Sequence, residues 1–149
     1  MIVANKLLGD SSDSLLFQNV REKLSLCYSI GLLSLKSEGL IMIITEINKS
    51  NFDKTIEEID KQIINAKNGE FDDELFASTK LQFANAIHSL GDDIDGFVAF
   101  DMMLKLNNID ISVDEHLRRI MAVKKEDVVR ALNTYKKSIT YFLKGDLDE

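Results

Sequence analysis

Two histidines, one cysteine and a short run of aspartates are the side chains here that could hold a metal or attack a carbonyl. His88 reads as lying near the end of a helix, where partial protonation suits the helix dipole. His116 falls in the first turn of another helix. Neither has a Cys, a second His or paired carboxylates at ligand spacing, so both are expected at the surface and no metal site is expected. Cys27 flanks a strand start with no histidine close by in sequence, which suits a small buried hydrophobe better than a nucleophile. A single cysteine also excludes an internal disulfide and any cysteine-rich zinc site. Asp92, Asp93 and Asp95, between Gly91 and Gly96, invite a calcium reading. An EF-hand loop aligned on Gly96 needs an acid at its first position and a Glu at its twelfth, and those places hold Gly91 and Met102. Helix capping accounts for the aspartates instead. Ser11, Ser12 and Ser14 lack the G-x-S-x-G elbow of a serine nucleophile. No glycine loop cradles phosphate, and Met42, Met102, Met103 and Met121 fit apolar faces without a cofactor.

The elements that would position any site follow from periodicity. Ile2 to Leu8 is apolar and stops at Gly9, which reads as the last turns of a helix ended by glycine in the left-handed conformation. On this reading the helix start is missing and the chain is cut from something longer. Ser11-Ser12-Asp13-Ser14 offers N-caps for a helix from about Asp13 to Lys23 carrying Leu15, Leu16, Phe17 and Val20. Tyr28, Ile30 and Leu32 alternate with Ser29 and Gly31, the period of a strand. Lys36-Ser37-Glu38-Gly39 breaks the strand, and Leu40 to Ile44 returns as the second arm of an antiparallel hairpin. Ser50 and Asp53 resemble a capping box for a helix carrying Phe52, Ile56, Ile59 and Ile63 up to Asn68-Gly69. Asp72 or Asp73 opens the next helix, with Phe76, Phe83, Ile87 and Leu90 on its stripe and Gly91 as its stop. Ile94 to Leu106 forms another. Ser112 and Glu115 box the start of a helix with Leu117, Ile120 and Met121, and a last helix aligns Val128, Leu132 and Tyr135. Ser138 to Leu143 alternates again through Ile139, Tyr141 and Leu143 and is expected to be a terminal strand before Lys144-Gly145. The order predicts an α+β fold, a small antiparallel sheet with helices packed on one face. Three strands are few for this many helices, so an uncovered edge and self-association are expected.

The chain has 149 residues, 45% of them apolar and 29% charged, with no proline and no linker-like tract. That suits a single domain over residues 1–149 with a real core. Its 25 acidic against 18 basic side chains give a net charge of −7. A nucleic-acid or anionic-membrane partner is therefore not expected, since both need a cationic surface. No apolar run approaches the ~20 residues of a membrane span. The start lacks the basic, apolar and small-residue order of a signal peptide, so a cytoplasmic location is expected.

One block is more specific. Asn5 to Ser29 carries Leu8-Gly9, a serine-rich turn, Ser14-Leu15-Leu16-Phe17, Val20-Arg21-Glu22-Lys23 and Leu26-Cys27-Tyr28-Ser29. This resembles the C-terminal half-domain of the pitrilysin, insulinase and mitochondrial-processing-peptidase family, the inverted zinc metallopeptidases. The Asn68-Gly69-Glu70-Phe71 turn, the helix opening from Lys124 to Val128 and the closing strand before Gly145 extend the likeness over nearly the whole chain. Two departures stand out. The family carries zinc on H-x-x-E-H plus a distal Glu, and that motif is absent here. Gly9-Asp10 also stands where relatives often have consecutive glycines.

The resemblance implies the later, noncatalytic part of a zinc endopeptidase, inactive alone. Zinc would come from elsewhere in the full-length protein or from a partner subunit. It also implies roles for Arg21 and Tyr28, whose spacing matches a family pair that reaches across to the peptide substrate near its scissile carbonyl. A guanidinium and a phenol can both stabilise developing oxyanion charge without titrating. The competing readings are that Arg21 pairs with Glu22 while Tyr28 packs as a strand residue, and that the whole domain is a noncatalytic scaffold.

Overall fold

A computed structural model describes residues 1–35, 38–90 and 94–145. Among them, six α-helices and one hairpin follow in chain order: α1 (Ile2–Leu8), β1 (Ser29–Leu35), β2 (Leu40–Glu46), α2 (Phe52–Lys67), α3 (Asp73–Ser89), α4 (Ile94–Leu106), α5 (Val113–Ala122) and α6 (Lys125–Leu132). A π-helical segment, Phe17–Lys23, lies between α1 and β1. The architecture is α+β, as the periodicity implied.

Alternation in β1 and β2 sets their two faces. The strands pair antiparallel from Ser29 opposite Glu46 to Leu35 opposite Leu40. Ile30, Leu32, Ile41 and Ile43 turn toward the helices, while Leu33 and Ile44 face outward. The core beneath gathers around α1. Val3, Ala4, Leu7 and Leu8 meet Leu16, Val20, Val128 and Leu132, all of them nearly inaccessible to solvent. Thus the shortest α-helix is the most deeply buried, packed by α3, α6 and β1.

Several expected termini form as read. Asp72 Oδ1 caps α3 through the Leu75 amide, and Ser112 Oγ accepts from the Glu115 amide at 3.2 Å. Asn68 ends α2, and Gly69 takes a left-handed φ of +79°. His88 lies in the last turn of α3. Gly91, Asp92 and Asp93 lie outside the described residues, as do Lys36 and Ser37, whereas Asp95 sits in the first turn of α4.

Four readings are corrected. Gly9 has a φ of −160°, extended backbone open to any residue. Its requirement is space, because a Cβ there would lie 2.8 Å from Leu32 Cβ where the Leu32 amide donates to the Gly9 carbonyl. Ser50 and Asp53 form no capping box. A 3₁₀ turn over Lys49–Asn51 feeds directly into α2, and Thr55 Oγ1 bonds back to the Asn51 carbonyl. The helix expected from Asp13 is instead π-helical over Phe17–Lys23. The segment from Ser138 to Leu143 is not a strand of the sheet, because among the described residues β1 and β2 pair only with each other.

Candidate functional site

Arg21 and Tyr28 meet at one rim because the chain between them is held at both ends. Upstream, Ser14 Oγ bonds the Ser11 carbonyl and accepts from the Phe17 amide, fixing the entry to the π-helical segment. Val20 anchors that segment in the core. Asn19 Nδ2 ties it to Gln62 of α2 at 3.1 Å. The wide turns of a π-helix shift residues relative to α-helical order. Phe17 and Arg21, both half-buried, end up stacked, the guanidinium 4.8 Å from the ring centre.

Downstream, Ser25 takes a left-handed φ of +50° and turns the chain. The Leu26 amide then bonds the Val20 carbonyl, and Asn51 Nδ2 holds the Leu26 carbonyl at 3.2 Å. The Tyr28 amide joins the Glu46 carbonyl at 2.8 Å, extending the hairpin ladder by one residue. Arg21 Nε donates to the Tyr28 carbonyl at 2.8 Å, so the two residues are locked together through the backbone. Arg21 Nη1 pairs with Glu22. The Tyr28 ring is 65% exposed, and its hydroxyl donates to Asn48 Oδ1 at 3.2 Å. Ser29 Oγ donates to Glu46 Oε2 and Thr45 Oγ1 to the Ser29 carbonyl, which stiffens the strand ends behind the rim.

A cavity of about 340 Å³ opens beside Phe17, between the Gly9–Ser12 turn and Ile30, Gly31 and Leu32 of β1. Cys27, just before β1, is half-buried against the core. Burial pushes its thiol up, against smaller opposing effects from a Thr45 hydrogen bond and the Arg21 charge, which disfavours the thiolate. Phe17 and Asn48 belong to the rim and were not singled out from sequence. The i, i+4 spacing of Phe17 and Arg21 could have shown the first. Asn48 needed the hairpin register.

The described residues do not fit a zinc centre. No three or more of their His, Cys, Asp and Glu side chains converge on one point. His116 instead lines a separate cavity between α1, α5 and α6 and packs edge-on to Phe100, 5.8 Å between ring centres.

Comparison with known proteins gives the family. Residues 1–83, including the whole rim from Phe17 to Asn48, match the family model described as Peptidase M16 inactive domain. The Probable inactive metalloprotease YmfF of Bacillus subtilis (strain 168) is 34% identical over 143 residues, covering 96% of this chain and 34% of that protein. A conserved protein from Enterococcus faecalis V583 superimposes with a TM-score of 0.79 at 23% identity, over 88% of this chain and 31% of its own. A protease from Helicobacter pylori does so with a TM-score of 0.75 at 18% identity, over 90% and 33%. The chain therefore spans about a third of the length of each of these proteins. The match to 83 of 149 residues confirms the resemblance carried by Leu16 to Tyr28: the chain belongs to the family of peptidase M16 inactive domains, metallopeptidase-like and without a metal ligand set among its described residues.

Proposed function

We propose that this domain forms the noncatalytic wall of a peptide-binding cleft, with Arg21 and Tyr28 donating hydrogen bonds to backbone carbonyls of the bound peptide. The zinc-bearing half, in the same polypeptide or in a partner subunit, supplies the other wall. The carrying observation is the Arg21 Nε bond to the Tyr28 carbonyl, which fixes a guanidinium over Phe17 beside an exposed phenol. Among the described residues, Arg21 Nη2 has no partner and remains available to an incoming carbonyl. An oxygen that gains negative charge suits both donors, Arg21 Nη2 as it stands and Tyr28 once its hydroxyl turns from Asn48 Oδ1 to the incoming oxygen.

A scaffold reading is favoured by one contact, the Arg21–Glu22 ion pair, which engages part of the guanidinium. The Bacillus relative, a probable inactive metalloprotease, points the same way. The two readings separate in the domain assembled with its zinc-bearing half. There Tyr28→Phe removes one donor and keeps the ring, and it should lower turnover about a hundredfold, or roughly 3 kcal/mol. Arg21→Lys keeps the charge but loses the planar fork, and should cost as much or more. Peptide binding by fluorescence anisotropy supplies the readout if the assembly does not cleave. Variants that fold normally and match the unmodified protein in both assays would establish the scaffold.

A further inference from the structure

Among the described residues, α4 is held from one side. Phe100 packs against the core and Leu104 is buried, so the opposite side of the helix faces outward. Ile94, Val98, Met102 and Leu106 lie on that outer side and are between 58% and 81% exposed. Their spacing of four residues lines them up as one apolar ridge along the helix. A lone apolar side chain on a surface needs no explanation. A ridge that runs the full length of a helix, roughly 20 Å at ~1.5 Å per residue, marks a contact surface.

The symmetry of this ridge selects its occupant. Ile94 and Leu106 are equally far from Phe100 along the helix, one on each side of it, and so are Val98 and Met102. A second α4 laid alongside antiparallel, about a two-fold axis at the level of Phe100, therefore sets Ile94 level with Leu106 of the other copy and Val98 level with Met102. The flanking charges obey the same relation with opposite signs. Asp95 and Lys105 are both exposed and also equally far from Phe100, so each Asp95 comes level with Lys105 of the other copy. Lys105 Nζ lies 2.8 Å from Asp101 Oδ2 in its own chain, and an ammonium has further donors for a second carboxylate. A parallel pair would instead set Asp95 against Asp95 and Lys105 against Lys105.

We propose that α4 is the contact helix of a homodimer, in which two copies of this chain pair antiparallel through the ridge from Ile94 to Leu106. Two terms keep the dimer weak. Each copy carries a net charge of −7, which opposes their approach. One face of a thirteen-residue helix also buries less than the ~800 Å² per partner of a standard interface. The dissociation constant is therefore expected at roughly 10–100 µM. At a few micromolar the chain is a monomer with the outer side of α4 in water. The inference is independent of any role for Arg21 and Tyr28, which lie on other elements.

Sedimentation equilibrium of the full chain from about 2 to about 500 µM reads the association directly, and should pass from monomer to dimer across that range. Val98→Glu should raise the dissociation constant at least tenfold. It should leave the melting temperature and helical circular dichroism at low concentration unchanged, because Val98 is exposed in the monomer. Asp95→Lys and Lys105→Glu should each weaken the dimer about fivefold or more, since each sets two like-charged pairs level across the axis. Mixed in equal amounts, these two variants should bind each other about as tightly as unmodified chains do, because both pairs then regain opposite charges. A chain that stays monomeric at about 500 µM overturns the proposal, and the ridge then serves another occupant. A dimer that Val98→Glu leaves intact overturns it too, as do charge variants that bind each other no more tightly than they bind themselves.

Discussion

Helices α1 and α4 are both rich in apolar residues, and the protein treats them in opposite ways. The seven residues of α1 lie at the centre of the core, with Val3, Ala4, Leu7 and Leu8 almost wholly covered. The thirteen residues of α4 bury one side chain, Leu104, and leave Ile94, Phe97, Val98, Met102 and Leu106 exposed. Composition does not separate these outcomes. Position does: α1 is wedged between α3, α6 and β1, whereas α4 rests on its neighbours along one side, through residues such as Phe100 against His116. An apolar sequence shows that a helix can be buried, and the surrounding elements decide whether it is.

The contrast breaks most sharply at the α1 side of the core. Leu16 is fully buried there, and Leu16→Ala should cost about 3 kcal/mol, read from urea unfolding with the slope unchanged. Gly9→Ala attacks the same seam by overfilling it, since the new Cβ would meet Leu32 Cβ at 2.8 Å. Its cost should be about 2 kcal/mol. Losses below ~1 kcal/mol for both would mean that this seam can relax and that α1 is not the fixed centre of the fold.

Local signals proved readable where one residue type satisfied a local need. Asp72 and Ser112 cap their helices, and Asn68-Gly69 ends α2, because a short polar side chain or a left-handed glycine meets the demand of its own terminus. The hairpin followed from alternation in the same way. What escaped depended on other parts of the chain. Gly9 looked like a helix stop, and its actual constraint is Leu32, which no local pattern reveals. Ile139, Tyr141 and Leu143 have strand periodicity, but a strand needs a partner, and here the neighbour along its length is a helix. Arg21 and Tyr28 were visible as a pair through the family block. The hydrogen bond that couples them runs from a side chain to a backbone carbonyl and depends on the π-helical turns and the Ser25 reversal.

Tyr135 sharpens the picture of α1 as a closed centre, because its hydroxyl donates to the carbonyl oxygen of buried Asn5. Tyr135→Phe removes that donor and should cost about 1–2 kcal/mol at neutral pH by leaving the amide oxygen underserved. Burial also pushes the phenol up to about 12, from an ordinary value of 10.0. The folded protein thus holds this proton more tightly than the unfolded chain does. The corresponding stabilisation is intact below about pH 10 and is lost as the pH rises through about 12. Urea midpoints measured between pH 9 and 12 should fall less steeply for Tyr135→Phe than for the unmodified protein. Parallel curves would show that the Tyr135 hydroxyl is freely solvated and that α1 is open at this end.

The smallest effect is expected on the outer side of α4. Val98 is 58% exposed, lies in the middle of the helix and takes no part in the buried cluster. Serine has nearly the helix propensity of valine, so Val98→Ser changes the outer surface without changing the tendency of the backbone to be helical. Little apolar area returns to water in the unfolded state that was not already exposed in the folded one. The transfer contribution to stability is correspondingly slight. Unfolding free energy should therefore stay within ~0.5 kcal/mol of the unmodified value, as for surface substitutions in general. The same valine-to-serine change at Val3 or Val20, both almost inaccessible, supplies the control, since burying an unpartnered hydroxyl there should cost several times more. A loss above ~1 kcal/mol at Val98 would show that the outer side of α4 is covered in solution. Repeating the measurement at two protein concentrations then locates the cover, because association makes apparent stability rise with concentration whereas burial within one chain does not.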